Sequence, residues 1–154
     1  MSFREGYGFE TKIKSDIAPV NGLMERALSA GGIVCAKDPT RGGLANTVNE
    51  FSEKSNVGII LDEEEIPIPK GVKAACDMLG IDPLEIVNEG KVVFGVVKEK
   101  AHEVLEVIKN HPLGKKAAII GEASNKIEGV VLKTLIGGRR NLEKPLGDPV
   151  PRIC

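Results

Sequence analysis

The sequence predicts an α/β domain of the α+β kind: a mixed β-sheet layered with helices, followed by a flexible C-terminal tail. Three observations predict it. Apolar positions alternate between helical spacing and short continuous runs, so helices and strands alternate along the chain. The 154 residues suffice for one main core and fall short of a second full domain. With no tryptophan, one tyrosine and four phenylalanines, the core must be built mainly from Val, Ile, Leu and Ala, aliphatic side chains that suit a sheet covered by helices.

Residues 1–14 read as a lead-in with a possible short strand at Phe9–Ile13. A helix follows from Asp16, with Asp16 as cap, Pro19 early, and Val20, Leu23, Met24, Ala27 and Leu28 on one face. Gly31-Gly32 stops it. Ile33–Ala36 is a short buried strand ending on Lys37-Asp38-Pro39, and Leu44–Phe51 resumes helical spacing. Val57–Leu61 is a strand. Val72, Ala75, Cys76 and Leu79 mark a helix closed by Gly80, and a short helical turn covers Pro83–Val87. Lys91–Val97 is a strong strand, and Ala101–Lys109 is a helix with Val104, Leu105 and Ile108 on its apolar face. Two further strands, Ala117–Glu122 and Val130–Leu135, precede the tail. The expected division is a domain over residues 1–141 and an extended tail over 142–154.

Charge is nearly balanced, with a formal net value of -1 and both signs interspersed, so nothing argues for nucleic acid or an anionic membrane surface as a partner. No apolar run is long enough to span a bilayer and no secretory signal is present, which predicts a cytoplasmic protein. The run Asp62–Glu65 reads as a solvated turn. Cys35, Cys76 and Cys154 are far apart and form no zinc knuckle or redox dithiol; Cys35 and Cys76 read as small buried hydrophobes.

Cys154 is different. It ends the stretch Pro149-Val150-Pro151-Arg152-Ile153-Cys154, where the prolines disfavour helix and favour an extended track. At roughly 3.3 Å per residue the segment from Leu142 could carry the sulfur on the order of 40 Å. A free thiol titrates near about 8.5, and Arg152 is offset by the terminal carboxylate, so a partner's site must activate it. Its two readings are a carrier group on a reachable arm and a terminal cysteine without a role.

Asp38-Pro39-Thr40-Arg41-Gly42-Gly43 joins a strand to a helix, the kind of junction where anions bind. Glycines let amides approach a phosphate, the helix terminus adds partial positive charge, and Arg41 offers a bidentate donor. The alternative is a plain turn capped by Asp38 or Thr40. It is neither a phosphate-binding P-loop nor a dinucleotide fingerprint. Asn88-Glu89-Gly90-Lys91 precedes the strongest strand, so Glu89 is either a candidate acid/base at a cleft or a surface carboxylate. Gly137-Gly138-Arg139-Arg140 is either an anion site or the turn that launches the tail. His102 and His111 read as structural, His111 near a helix C-terminus.

Taken in order, Asp38–Gly43, Asn88-Glu89-Gly90, Ile136-Gly137-Gly138-Arg139 and the terminal Pro151-Arg152-Ile153-Cys154 make the chain resemble the C-terminal part of the HypE family of hydrogenase maturation proteins. The likeness runs from about Phe9 to Cys154. The family's domain belongs with aminoimidazole ribonucleotide (AIR) synthetase and its relatives, which share the Asp38–Gly43 turn and lack the cysteine tail.

The resemblance implies an AIR synthetase-related C-terminal domain and a carbamoyl-dehydrating role. Cys154 would accept a carbamoyl group from the carbamoyltransferase HypF, and ATP would activate the carboxamide oxygen. Loss of phosphate would leave a thiocyanate, whose cyanide passes to iron on a HypC–HypD scaffold. Glu89 would assist proton removal, and Asp38, Thr40, Arg41, Gly42 and Gly43 would line the nucleotide-facing cleft. In the family an N-terminal half carries most ATP and Mg2+ ligands and the main homodimer interface. This chain is therefore expected to bind ATP weakly or not at all, to be monomeric, and to be inactive alone. Cys35 and Lys37 depart from the family's pattern ahead of Asp38. Two other readings stand beside this one: a non-catalytic interaction module docking on maturation partners, and a kinase or synthetase relative.

Overall fold

A computed structural model describes residues 17–147. The possible strand at Phe9–Ile13, the cap at Asp16 and the tail from residue 148 through Cys154 lie outside the described residues.

The first helix, α1 (Asn21–Ser29), starts later than the sequence suggests, because its first helical bond runs from the Met24 amide to the Val20 carbonyl, past Pro19. Strand β1 (Ile33–Lys37) follows, then α2 (Gly43–Ser55), which extends beyond Phe51 until Asn56 adopts a left-handed φ of 54°. After β2 (Gly58–Asp62), the acidic run forms a short 3-10 turn, Glu63–Glu65, with Asp62 accepting the Glu64 amide. Helix α3 (Lys70–Leu79) closes on Gly80, and a second 3-10 turn covers Pro83–Glu85. Strand β3 (Val93–Val96), helix α4 (Ala101–Lys109) and strands β4 (Gly121–Ser124), β5 (Val130–Lys133) and β6 (Arg139–Asn141) complete the order.

The fold class is α+β as predicted, but the strands form two sheets. β1 and β3 make an antiparallel pair, and β4-β2-β5-β6 make a mixed sheet in which β2 and β5 run parallel. Partner length sets the strand ends. β3 is shorter than Lys91–Val97 because its register with β1 begins at Lys37 opposite Val93. β4 begins at Gly121, opposite Leu61, rather than at Ala117. A Cβ at Gly121 would stand 2.2 Å from the Ile60 carbonyl oxygen, so glycine permits the pairing. β6 was not foreseen as a strand: Arg139 and Arg140 pair with Lys133 and Leu132 after a turn closed at Gly137, whose φ is 82°.

Each sheet has its own core. Ala45 and Val48 of α2 pack on Leu61, Val130 and Leu132, with Leu84 and Leu142 closing the cluster. Leu23 and Ala27 of α1 meet Val104 and Ile108 of α4 in a smaller one, flanked by Ile33, Phe94 and Val96. Leu142, from which the expected extended segment departs, is 2% exposed and its amide donates to the Val130 carbonyl at 2.9 Å. Cys76 is buried in α3, while Cys35 is only half-buried on β1. No described helix is long and apolar enough to cross a membrane.

Candidate functional site

β1 belongs to the smaller core and α2 to the larger, so the chain crosses between them through Asp38–Gly42. Gly42 and Gly43 both have positive φ, 63° and 60°. A Cβ on Gly43 would lie 2.5 Å from the Leu84 carbonyl oxygen and 2.6 Å from that of Ile86, so only glycine lets α2 begin against the 84–86 backbone. That contact fixes the second predicted segment beside the first. The Asn88 amide donates to the Pro39 carbonyl at 3.0 Å, and Asn88 Nδ2 donates to the Ile86 carbonyl at 2.7 Å.

The structure thus brings Asp38–Gly43 and Asn88–Lys91 together, as two turns of one wall. Asp38, Arg41 and Glu89 are exposed on it, Thr40 is half-buried, and Gly42 and Gly43 are buried. Lys91 donates to Asn88 Oδ1.

Asn46 and Glu50, one turn apart on α2, were missed by a reading that used only the helix's apolar positions. Asn46 Nδ2 donates to the Arg41 carbonyl at 2.9 Å and to Glu50 Oε1 at 3.1 Å, and Lys37 Nζ pairs with the same carboxylate. Lys37, which departs from the expected pattern, therefore ties the end of β1 to α2 across the turn. The Lys37 hydrogen bond, with a smaller contribution from Lys54, lowers the Glu50 carboxyl from 4.5 to about 2 against the opposing effect of burial. The polar i, i+4 spacing of Asn46 and Glu50 just inside a helix was the available signal.

Beside Arg41 and Gly42, an open cleft of about 240 Å³ is completed by Asn46, Pro145 and Gly147. Pockets that enclose a small organic ligand run to about 300–1,000 Å³, so this one is a wall with room for a phosphate-sized group. Arg41, a cation, lines it beside Gly42, the residue that precedes the first turn of α2, a combination that suits an anion. Among the described residues, no group of three or more His, Cys, Asp or Glu side chains is placed to hold a metal ion.

Of the other candidates, Gly137–Arg140 and His111 take part in local structure. Gly137–Arg140 forms the β5–β6 turn, with Arg140 paired to Asp82 at 2.6 Å. His111 Nδ1 accepts the Leu113 amide at 3.2 Å, and His102 is exposed on α4.

Residues 15–133 match the family model "AIR synthase related protein, C-terminal domain". A hydrogenase expression/formation protein of Methanocaldococcus jannaschii is 55% identical over 98% of this chain and 45% of its own length. Carbamoyl dehydratase HypE of Bradyrhizobium diazoefficiens is 48% identical over 100% of this chain and 45% of its own. The chain thus spans about half the length of these relatives.

Among solved structures, Escherichia coli HypE superposes with a TM-score of 0.93 at 38% identity, covering 99% of this chain and 47% of that one. HypE from a HypE–HypF complex gives 0.88 at 44% identity, over 94% and 47%. HypE in complex with ATP gives 0.89 at 36%, over 96% and 47%.

Proposed function

Because the chain belongs to the AIR synthase-related C-terminal domain family, on its HypE branch, we propose that it is the cysteine-bearing half of a carbamoyl-dehydrating hydrogenase maturation protein. One observation carries this reading: the likeness to a carbamoyl dehydratase extends over 100% of the chain.

In this reading the Cys154 thiolate attacks the carbonyl carbon of an activated carbamoyl group presented by a HypF-type transferase. A C–S bond forms and the activating group leaves. The resulting carboxamide oxygen then takes the γ-phosphoryl group of ATP as an N–H proton departs. Loss of that oxygen as phosphate, with the second N–H proton, leaves S–C≡N. Glu89 is the base we assign to a carboxamide proton, because it stands exposed on the wall that also carries Arg41 and the α2 terminus. Arg41 and the α2 amides would stabilise the phosphorylated oxygen, and Asp38, Thr40, Gly42 and Gly43 would shape the wall around it.

The small cleft supports a division of labour. The other half, present in the full-length relatives, would hold most of the nucleotide with its Mg2+ and form the dimer. This half alone would bind ATP weakly and stay monomeric. Release of cyanide to iron on a HypC–HypD scaffold is the step we place next.

The test is the mass of the C-terminal peptide after incubation with HypF, carbamoyl phosphate and ATP. A carboxamide adduct confined to Cys154, and absent from Cys154→Ala, is expected. No adduct while a full-length HypE is labelled in parallel would refute the acceptor role for this chain.

A further inference from the structure

A second cleft, of about 610 Å³, shares no lining residue with the one beside Arg41 and lies between α3 with its neighbouring 3-10 turns and the β5–β6 hairpin. Its floor is apolar: Ile66, Ile68 and Leu84, with Cys76, 3% exposed, beneath them. One wall is the hairpin tip, where Leu135 is 57% exposed and its neighbour Ile136 95%.

The tip is not left to drift. The Leu135 amide donates to Glu63 Oε2 at 3.1 Å, the Gly138 amide donates to Thr134 Oγ1 at 3.0 Å, and Arg140 binds Asp82 at 2.6 Å. Two large aliphatic side chains are thereby held exposed on a braced turn, one of them at the rim of the cleft.

The rim carries charge in excess of what the cleft uses. Glu63 is engaged by the Leu135 amide, and Asp82 by the Leu84 amide and Arg140. Glu64 and Asp77 line the same cleft, are exposed, and make no ion pair among the described residues. The lining cations are Lys73 and Arg140, against four carboxylates. Burial first, then the charges of Asp77 and Asp82, push the Cys76 thiol up.

We propose that this cleft is a docking site for a short basic–aliphatic segment of a partner protein: aliphatic side chains on Ile66, Ile68 and Leu135, and Lys or Arg against Glu64 and Asp77. Such a segment supplies both things the cleft lacks, cover for its apolar floor and positive charge for two unpaired carboxylates. The site shares no lining residue with the cleft beside Arg41.

The experiment titrates the full chain, isotope-labelled for amide NMR, with a synthetic heptapeptide alternating Lys with Val and Leu, and with the same peptide carrying Glu for every Lys. The Lys peptide is expected to shift the amides of Glu64, Ile68, Cys76, Asp77 and Leu135 saturably, and the Glu peptide to leave them in place. The double variant Glu64→Lys with Asp77→Lys should weaken binding by about tenfold or more, and Leu135→Ser should weaken it too, with the β2–β5 amides unmoved in both. Equal binding of both peptides, shifts centred elsewhere, or no shifts would overturn the proposal. So would concentration-dependent shifts of these amides without peptide, which would assign the face to a second copy of the chain.

Discussion

The molecule's two cores are built differently. In the larger one, strand side chains reach the centre: Leu132 is 1% exposed, and Leu61 and Val130 are nearly as deep, with α2 laid across them. In the smaller one all four buried residues are helical, from α1 and α4, while the two-stranded sheet beneath is only half-covered and leaves Val34 70% exposed. A two-stranded pair is marginal by itself, so helices carry that layer. The candidate site lies on the segment that passes from one core to the other, which teaches why so much side-chain bracing is invested in an exposed turn. The contact between the 38–43 and 88–91 turns needs holding in its own right.

The contrast can be broken by mutation, beginning with the largest effect. Leu132→Ala should cost about 4 kcal/mol and Leu23→Ala about 2, read from denaturant midpoints; equal costs would erase the distinction between the cores. Gly43→Ala should cost about 3 kcal/mol, because the added Cβ meets two carbonyl oxygens at positive φ. Gly80→Ala, also at positive φ but in open space, should cost about 1. A comparable loss at both would show that conformation, not the close approach, demands Gly43.

Glu50→Gln should cost about 1–2 kcal/mol, after allowance for the solvent that reaches its carboxylate. The sign follows from a folded carboxyl held below its ordinary value. Its contribution is complete above 4.5 and disappears as the pH falls toward about 2. Acid titrations of stability should show that loss in the wild type, and the Gln variant should lack this component. Val34→Thr, on the open face of β1, should stay within about 0.5 kcal/mol.

Much of this was legible in the sequence. Helices α2, α3 and α4 follow from apolar spacing, and the family resemblance is readable from short motifs such as the Asp-Pro-Thr-Arg-Gly-Gly turn, which falls inside the matched residues 15–133. The division into two sheets was not, because strand partners are a non-local choice: nothing in Ile33–Lys37 says that it pairs with Val93–Val96 rather than joining the larger sheet. β6 was hidden because Arg139-Arg140-Asn141 lacks the apolar alternation of a half-buried strand, all three being exposed. Asn46 and Glu50 escaped since their partners, the Arg41 carbonyl and Lys37, become neighbours only once the turn closes.

A preformed wall, braced where the two cores meet, holds Asp38–Gly43 beside Asn88–Lys91. Hydrogen exchange at the Asn88 amide reports on that bracing. Bonded to Pro39, that amide should exchange about as slowly as amides in β2 and β5, and Glu50→Gln should speed it while leaving those strands unchanged. Exchange at the rate of an open loop in the wild type would contradict the claim.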